Sequence, residues 1–335
     1  MMQMRLVRWL LVLVVPALMV AACGGTAPNT STEPAATTNV TMLFGFIPNV
    51  QFAPFYVADS KGYYEEAGLS VTFEYNMETD VLQRVATAGT DAPTFAHGSG
   101  LSVMLARQQG LPVQMVFQHY QQFPVVFFAK PDVPLESPQD LLNQSIGIPG
   151  RFGASYYALQ ALLYASGIPE SELNVQEVGF NQFQLILEDN IAVASGYAMN
   201  EPVRLREQLG GASVLRVADY FPLASDGIIT SEELTSERSD LVRAFVQATL
   251  RGLQDTFANS DEAFEISLDY IPEANLGTPE FERTVLQESL PYWEAENLGT
   301  IDPEVWQQSH QFLLDLNLLQ APVDVEASYT NQFVQ

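Results

Sequence analysis

An α/β fold built as two lobes is what this sequence predicts, and three observations carry the prediction. From Val40 onward, short apolar runs alternate with longer stretches of helical period. Pro131, Pro134 and Pro138 then break the chain directly after one such run, a pattern expected where a chain passes from one unit to the next. The residues beyond 39 are also numerous enough for two cores at ordinary domain sizes.

The elements follow in order. "VTMLFGFI" reads as a first strand, and "QFAPFYVADSKGYYEEAG" as a helix stopped by Gly68. "LSVTFEYN" is a second strand, "VLQRVATAG" a helix, "APTFAHGSG" a third strand with its loop, and "SGLSVMLARQQG" a helix. "VQMVFQHY" and "PVVFFAK" supply strands four and five of the first lobe. After the prolines, "SPQDLLNQ" and "SIGIPG" open the second lobe, followed by a helix over 154–166, the strand "LNVQEVGF" and the helix "NQFQLILEDN". The strand "IAVASGYAMNEP", the helix "VRLREQLGG" and the strand "SVLRVADY" complete it. A long amphipathic helix from about Asp240 to Ala258, with Ser236 or Ser239 as its cap, begins a mostly helical remainder that packs back on the first lobe. The division is therefore 40–130 and 224–335 for lobe 1, and 131–223 for lobe 2.

The first residues are read separately. Arg5 and Arg8 precede an apolar stretch from Trp9 to Val20, and the small residues Ala21 and Ala22 stand before Cys23, the one cysteine of the chain. Residues 1–22 read as a signal peptide and Cys23 as a lipidation site, with 23–39, rich in Gly, Pro, Ser and Thr, as a flexible tether. The expected location is the extracytoplasmic face of the cell membrane, reached through the lipid alone.

Composition narrows the function. The formal charge is −26, from 14 basic and 40 acidic residues, a balance that disfavours nucleic acid and anionic lipid surfaces. With one cysteine and three histidines, His97, His119 and His310, at no zinc-binding spacing, no metal and no other cofactor is expected. In "IGIPGRFGASYYALQALL" a strand runs through a glycine-flanked turn into a helix. It lacks the lysine and Ser/Thr of a phosphate loop, and Gly150 and Gly153 do not make a dinucleotide fingerprint. A helix start flanked by Arg151, Phe152, Ser155 and Tyr156 remains, equally an ordinary turn or an anchor for a polar small molecule.

"FGFIPNVQFAPFYVADSKGYYEEAGL", "GIPGRFGASYYAL", "VGFNQFQLI" and "GYAMNEPVRL", in this order, resemble the substrate-binding lipoproteins of bacterial ABC importers, in the family shared by thiamine-pyrimidine, riboflavin and sulfonate or nitrate binders. The resemblance implies a two-lobed periplasmic-binding-protein fold of type II, a small molecule held between lobes joined by two crossings, and a permease with its ATPase subunit as partners. It also implies a monomer that performs no chemistry. The segments it places at the cleft carry Asn49, Gln51, Phe52, Phe55 and Tyr56, then His97 and Ser99, then His119 and Tyr120 with Gln118 and Gln121. Tyr197, Asn200 and Glu201 join Arg151, Phe152, Ser155 and Tyr156 from the second lobe. Amides, a carboxylate and aromatic faces suit a flat heterocycle. Taken singly, Phe52, Phe55 and Tyr56 also fit a core face, and the histidines a structural role. The favoured ligand is riboflavin, with the formylated aminopyrimidine precursor of thiamine as the alternative and a taurine-type sulfonate third. The family also resembles a pyridoxal-dependent thiamine-pyrimidine synthase. That reading would need Lys61 or Lys130, the only lysines, to form a Schiff base, and a cysteine-rich motif that is absent.

Overall fold

The computed structural model describes residues 37–75 and 78–335. The expected signal peptide, Cys23 and most of the tether lie outside these residues.

In chain order the elements are β1 (Thr38–Phe44), α1 (Ala53–Ser60), α2 (Tyr63–Glu66), β2 (Leu69–Tyr75), α3 (Glu78–Thr87), β3 (Thr94–Ser99), α4 (Gly100–Gln108), β4 (Val113–Gln118) and β5 (Val125–Ala129). They continue with β6 (Ser145–Ile148), α5 (Gly153–Ser166), β7 (Asn174–Glu177), α6 (Gln182–Leu187), β8 (Val193–Tyr197), α7 (Glu201–Leu209), β9 (Ser213–Arg216) and β10 (Asp226–Ser231). The last are the helices α8 (Glu232–Glu237), α9 (Ser239–Ala258), α10 (Ser260–Leu268), α11 (Pro279–Trp293) and α12 (Pro303–Asp315).

Two five-stranded sheets form the two lobes, with orders β2-β1-β3-β10-β4 and β7-β6-β8-β5-β9. In the first, β1 runs parallel to β2 and β3, with Met42 opposite both Phe73 and Phe95, and β10 enters antiparallel between β3 and β4. In the second, β6 runs parallel to β7 and β8 while β5 is antiparallel to β8 and β9. The inner strands β3, β10, β5 and β8 are buried along almost their whole length because helices cover both faces of each sheet, while the edge strands β2 and β7 keep exposed positions. Helix α9 lies directly on α1 at Gly252, where a Cβ would come within 2.1 Å of the Pro54 carbonyl oxygen.

The lobes are not sealed from one another. One continuous apolar cluster joins Leu43, Val113 and Ile229 of the first lobe to Phe127, Ile146, Leu159 and Val193 of the second, with Trp306 and Phe312 of α12 in the same cluster. Phe312 packs on Phe221 at 5.3 Å and on Tyr164 at 5.6 Å, and the Tyr164 hydroxyl donates to Asp315 at 2.7 Å.

Three sequence readings are corrected. Val125–Ala129 belongs to the second sheet, so the first crossing spans residues 119–124 rather than falling at 131; the return runs between Arg216 and Asp226. A fully buried strand looks alike in either sheet, and the prolines follow the strand that has already crossed. Thr38 and Asn39, read as the end of the tether, belong instead to β1, where they pair with Leu69 and Ser70. Helix α9 is capped by neither serine: Arg238 is its N-cap, and the Ser236 hydroxyl donates to the Glu233 carbonyl inside α8.

Candidate functional site

The parallel strands fix where a site can form. Chains leaving β1 and β3 in lobe 1, and β6, β7 and β8 in lobe 2, emerge at the carboxyl ends of their sheets, where open α/β sheets collect ligands. These ends meet. The Gln51 side-chain amide, just beyond β1, donates to Asn200 Oδ1 at 3.2 Å, just beyond β8. The Tyr197 hydroxyl, at the end of β8, donates to Asp226 Oδ2 at 3.4 Å at the start of β10.

Gln51 is the centre of a hydrogen-bond chain. Its Oε1 accepts from the Tyr120 hydroxyl at 3.0 Å, and its Nε2 donates to Asn49 Oδ1 at 3.0 Å as well as to Asn200. Asn49 also accepts the Gln51 backbone N–H at 3.0 Å, capping the short turn that leads into α1. With Gln51 and Tyr120 both buried, every polar atom of this amide is satisfied within the protein.

Behind the chain lies an aromatic floor. His97, in β3, and His119, at the first crossing, are buried and joined by Nε2 and Nδ1 at 3.1 Å. Phe52 and Phe55 stand edge-on to His97 at 5.6 and 6.2 Å, and Trp293 of α11 lies 4.7 Å from the His119 ring. Burial lowers the His97 pKa to about 3 and holds His119 well below the ordinary imidazole range, with the neighbouring His97 adding to the effect. Both rings are therefore neutral, one donating to the other. His119 Nε2 and Gln118 Oε1 are buried without a hydrogen-bond partner among the described residues.

On lobe 2, Glu201 opens α7, and its Oε2 accepts the Tyr197 backbone N–H at 3.0 Å. The carboxylate stands 2.7 Å from where a Gly196 Cβ would be, so a side chain there would displace the carboxylate from the Tyr197 N–H. Burial pushes the Glu201 pKa up, opposed by the backbone N–H groups of Glu201 and Tyr197.

The sequence-predicted residues thus divide. Asn49, Gln51, Phe52, His97, His119, Tyr120, Tyr197, Asn200 and Glu201 gather where the lobes touch. Phe55 lies one layer deeper, fully buried beneath the histidines. Tyr56 is turned away into the lobe-1 core, stacked on Tyr270 at 4.6 Å with its hydroxyl on Tyr75 at 2.9 Å, because it lies on the α1 face that meets α10. The Ser99 hydroxyl is spent locally: it caps α4 by accepting the Ser102 N–H at 3.1 Å. Arg151 is not a free anion anchor, since Glu170 and Glu177 both pair with it and Tyr156 lies under its guanidinium. Ser155 and Tyr156 are half-buried, Tyr156 against the apolar cluster.

Several site residues were missed. Asp226 and Trp293 come from the far end of the chain; the only signal for the latter was the aromatic pair in "PYW" closing a polar helix. Phe46 and Phe180 are lone loop aromatics, yet they remain 47% and 74% exposed at strand ends, as does Phe152, which was among the expected residues, at 55%. Among the described residues no group of three or more His, Cys, Asp or Glu is arranged to hold a metal ion.

Residues 49–263 match the family described as NMT1/THI5 like. The chain belongs to the NMT1/THI5-like family. This family member is 52% identical over 334 residues to the riboflavin-binding protein RibY of Chloroflexus aurantiacus, covering 95% of each chain. It is 28% identical to the formylaminopyrimidine-binding protein of Halalkalibacterium halodurans, over 90% of this chain and 93% of that protein. Its fold matches the periplasmic aliphatic sulphonate binding protein SsuA of Escherichia coli with a TM-score of 0.70 at 11% identity, covering 89% of this chain and 99% of the other. The expected two-lobed periplasmic-binding-protein architecture is the one observed.

Proposed function

We propose that this NMT1/THI5-like protein is the solute-binding component of an ABC importer and that its ligand is riboflavin. The observation that carries the ligand is the 52% identity to a riboflavin-binding protein across almost the whole of both chains. The site agrees in kind. A flat ring needs aromatic faces and in-plane amide partners, and the rims of the two lobes offer Phe46, Phe152, Tyr197, Asn49 and Asn200 for that purpose.

Binding works by holding the lobes together. A molecule touching both rims favours the arrangement in which they meet, by as much as its contacts differ between the open and closed states. The protein, acting as a monomer, then hands the ligand to the importer's permease, which its ATPase subunit drives. The synthase reading finds little support in the lysines: Lys61 is paired with Asp255 and Glu262, and Lys130 with Asp189, so neither presents a free amine.

Titrating riboflavin against the protein should quench flavin fluorescence saturably, with a dissociation constant of about 1 µM or below. Quenching is expected because the ring stacks on aromatic side chains. Heat of binding from formylaminopyrimidine with none from riboflavin would transfer the assignment to the pyrimidine.

We further place the protein on the extracytoplasmic face of the membrane, anchored through lipid at Cys23. This placement rests on the apolar stretch from Trp9 to Val20 followed by Ala21, Ala22 and Cys23; among the described residues no helix is long and apolar enough to cross a membrane. Cys23→Ser should release the protein from the membrane fraction of cells. A variant that stays membrane-bound would show that the anchor is elsewhere.

A further inference from the structure

Lobe 2 carries an apolar feature that the hydrogen-bonding residues of the site do not account for. The ladder between β6 and β7 continues past both strands: the Val178 N–H donates to the Ile148 carbonyl at 2.9 Å and the Gly179 N–H to the Pro149 carbonyl at 3.1 Å. This holds the two outgoing loops side by side and places Phe180 next to the turn that bears Phe152. The Phe152 ring folds back over Gly150, where a Cβ would lie 2.4 Å from it, and the ring is still 55% exposed. Phe180 follows Gly179, whose φ of +62° turns the chain sharply, and is the most exposed large apolar residue described, at 74%. Two phenyl rings are thus kept in solvent on the sheet end that bears Asn200, although the protein buries most of its other aromatic rings.

We propose that Phe152 and Phe180 form an apolar lip that carries the outer end of a fused-ring ligand; this rests on the riboflavin reading above. Strand order supplies the length argument. From β8, which bears the amide contact, the sheet steps outward to β6 and then β7. Neighbouring strands lie about 4.8 Å apart, so the β7 loop stands about 10 Å from the β8 loop, roughly the length of three fused six-membered rings and beyond the reach of one. Charge agrees with an uncharged ring end. The cation on this turn, Arg151, is taken up by Glu170 and Glu177, so the lip presents hydrocarbon. A single pyrimidine ring seated at Asn49 and Asn200 would leave both phenyl groups untouched.

The test compares riboflavin affinity in the wild type, the Phe152→Ala/Phe180→Ala double variant and Phe180→Trp. Both side chains are exposed, so the thermal midpoint should not move. The double variant should bind riboflavin at least about tenfold more weakly, as expected when stacked faces are removed. In Phe180→Trp the introduced indole is solvent-exposed, unlike the buried Trp293 and Trp306, and its long-wavelength emission should be quenched as riboflavin binds. Wild-type binding with unchanged affinity in the double variant and unquenched emission in Phe180→Trp would overturn the lip and leave the riboflavin assignment standing. Absence of riboflavin binding by the wild type would overturn both.

Discussion

Gln51→Leu is expected to lower the free energy of unfolding by about 2–4 kcal/mol, because leucine matches the size of glutamine and removes both ends of its amide. The Tyr120 hydroxyl, buried, then loses its acceptor, and the direct hydrogen bond from lobe 1 to Asn200 disappears. A stranded buried hydroxyl is the larger part of the loss, since Asn200 is half-buried and can turn to water. Denaturant unfolding measures the loss, and small-angle scattering should show a larger radius of gyration as the rims part. Adding Tyr120→Phe should recover part of the stability, because removing both partners costs less than removing one. An unchanged unfolding midpoint in Gln51→Leu would mean that this chain of bonds does not hold the lobes in solution.

Acidification from pH 7 to pH 4 should destabilise the protein by several kcal/mol through the histidine pair. The unfolded imidazole titrates near 6.5, while burial takes His97 down to about 3 and His119 well below its usual range. The unfolded chain therefore binds more protons than the folded one throughout this window. Stability is full above about pH 6.5 and falls by about 1.4 kcal/mol per pH unit for each neutral buried ring. Glu201 and Glu282 act in the opposite sense, since burial raises their folded pKa and acid lets them become neutral. Asp140, Asp255 and Asp315, held low by hydrogen bonds, lose their contribution only below the usual aspartate range. Unfolding curves at pH 7, 6, 5 and 4 for the wild type and for His97→Gln/His119→Gln isolate the pair. Equal slopes in the two proteins would refute the assignment.

Much of the fold could be read because alternation and helical period are local properties. The expected runs for β2 to β4, and for α4, α5 and α7, are where the structure has them, within a residue or two, while β1 starts two residues and ends three residues earlier than its apolar run. What could not be read was long-range. "VVFFA" is buried on both faces in either sheet, and nothing within it says that its neighbours are Val193–Tyr197 and Ser213–Arg216 rather than lobe 1. The same limit governs the site. Asn49, Gln51 and Asn200 were legible as amides next to turn residues, but that Gln51 satisfies itself wholly within the protein follows only from bringing residues 51, 120 and 200 together. Phe55 and Tyr56 are adjacent in sequence, and one lies under the histidines while the other faces Tyr270; a one-residue step turns a side chain about 100° around a helix. Phe180 carried no sequence signal because a lone loop phenylalanine gains meaning only from the strand end on which it stands.

The placement of β10 between β3 and β4 reaches into how the molecule comes into being. Strands β3 and β4 are consecutive in the chain but do not touch, and the gap between them is filled by residues 226–231. The five strands of lobe 2, by contrast, come from one uninterrupted segment between Val125 and Arg216. A chain emerging from its amino end can therefore complete the second sheet while the first still has an open seam, with two unpaired strand edges exposed until more than two-thirds of the polypeptide has appeared. Closing that seam needs contacts between residues more than a hundred positions apart, the slow class of folding event. The lobe that begins the chain is the last to be finished, and the nascent protein is most prone to aggregation during that interval.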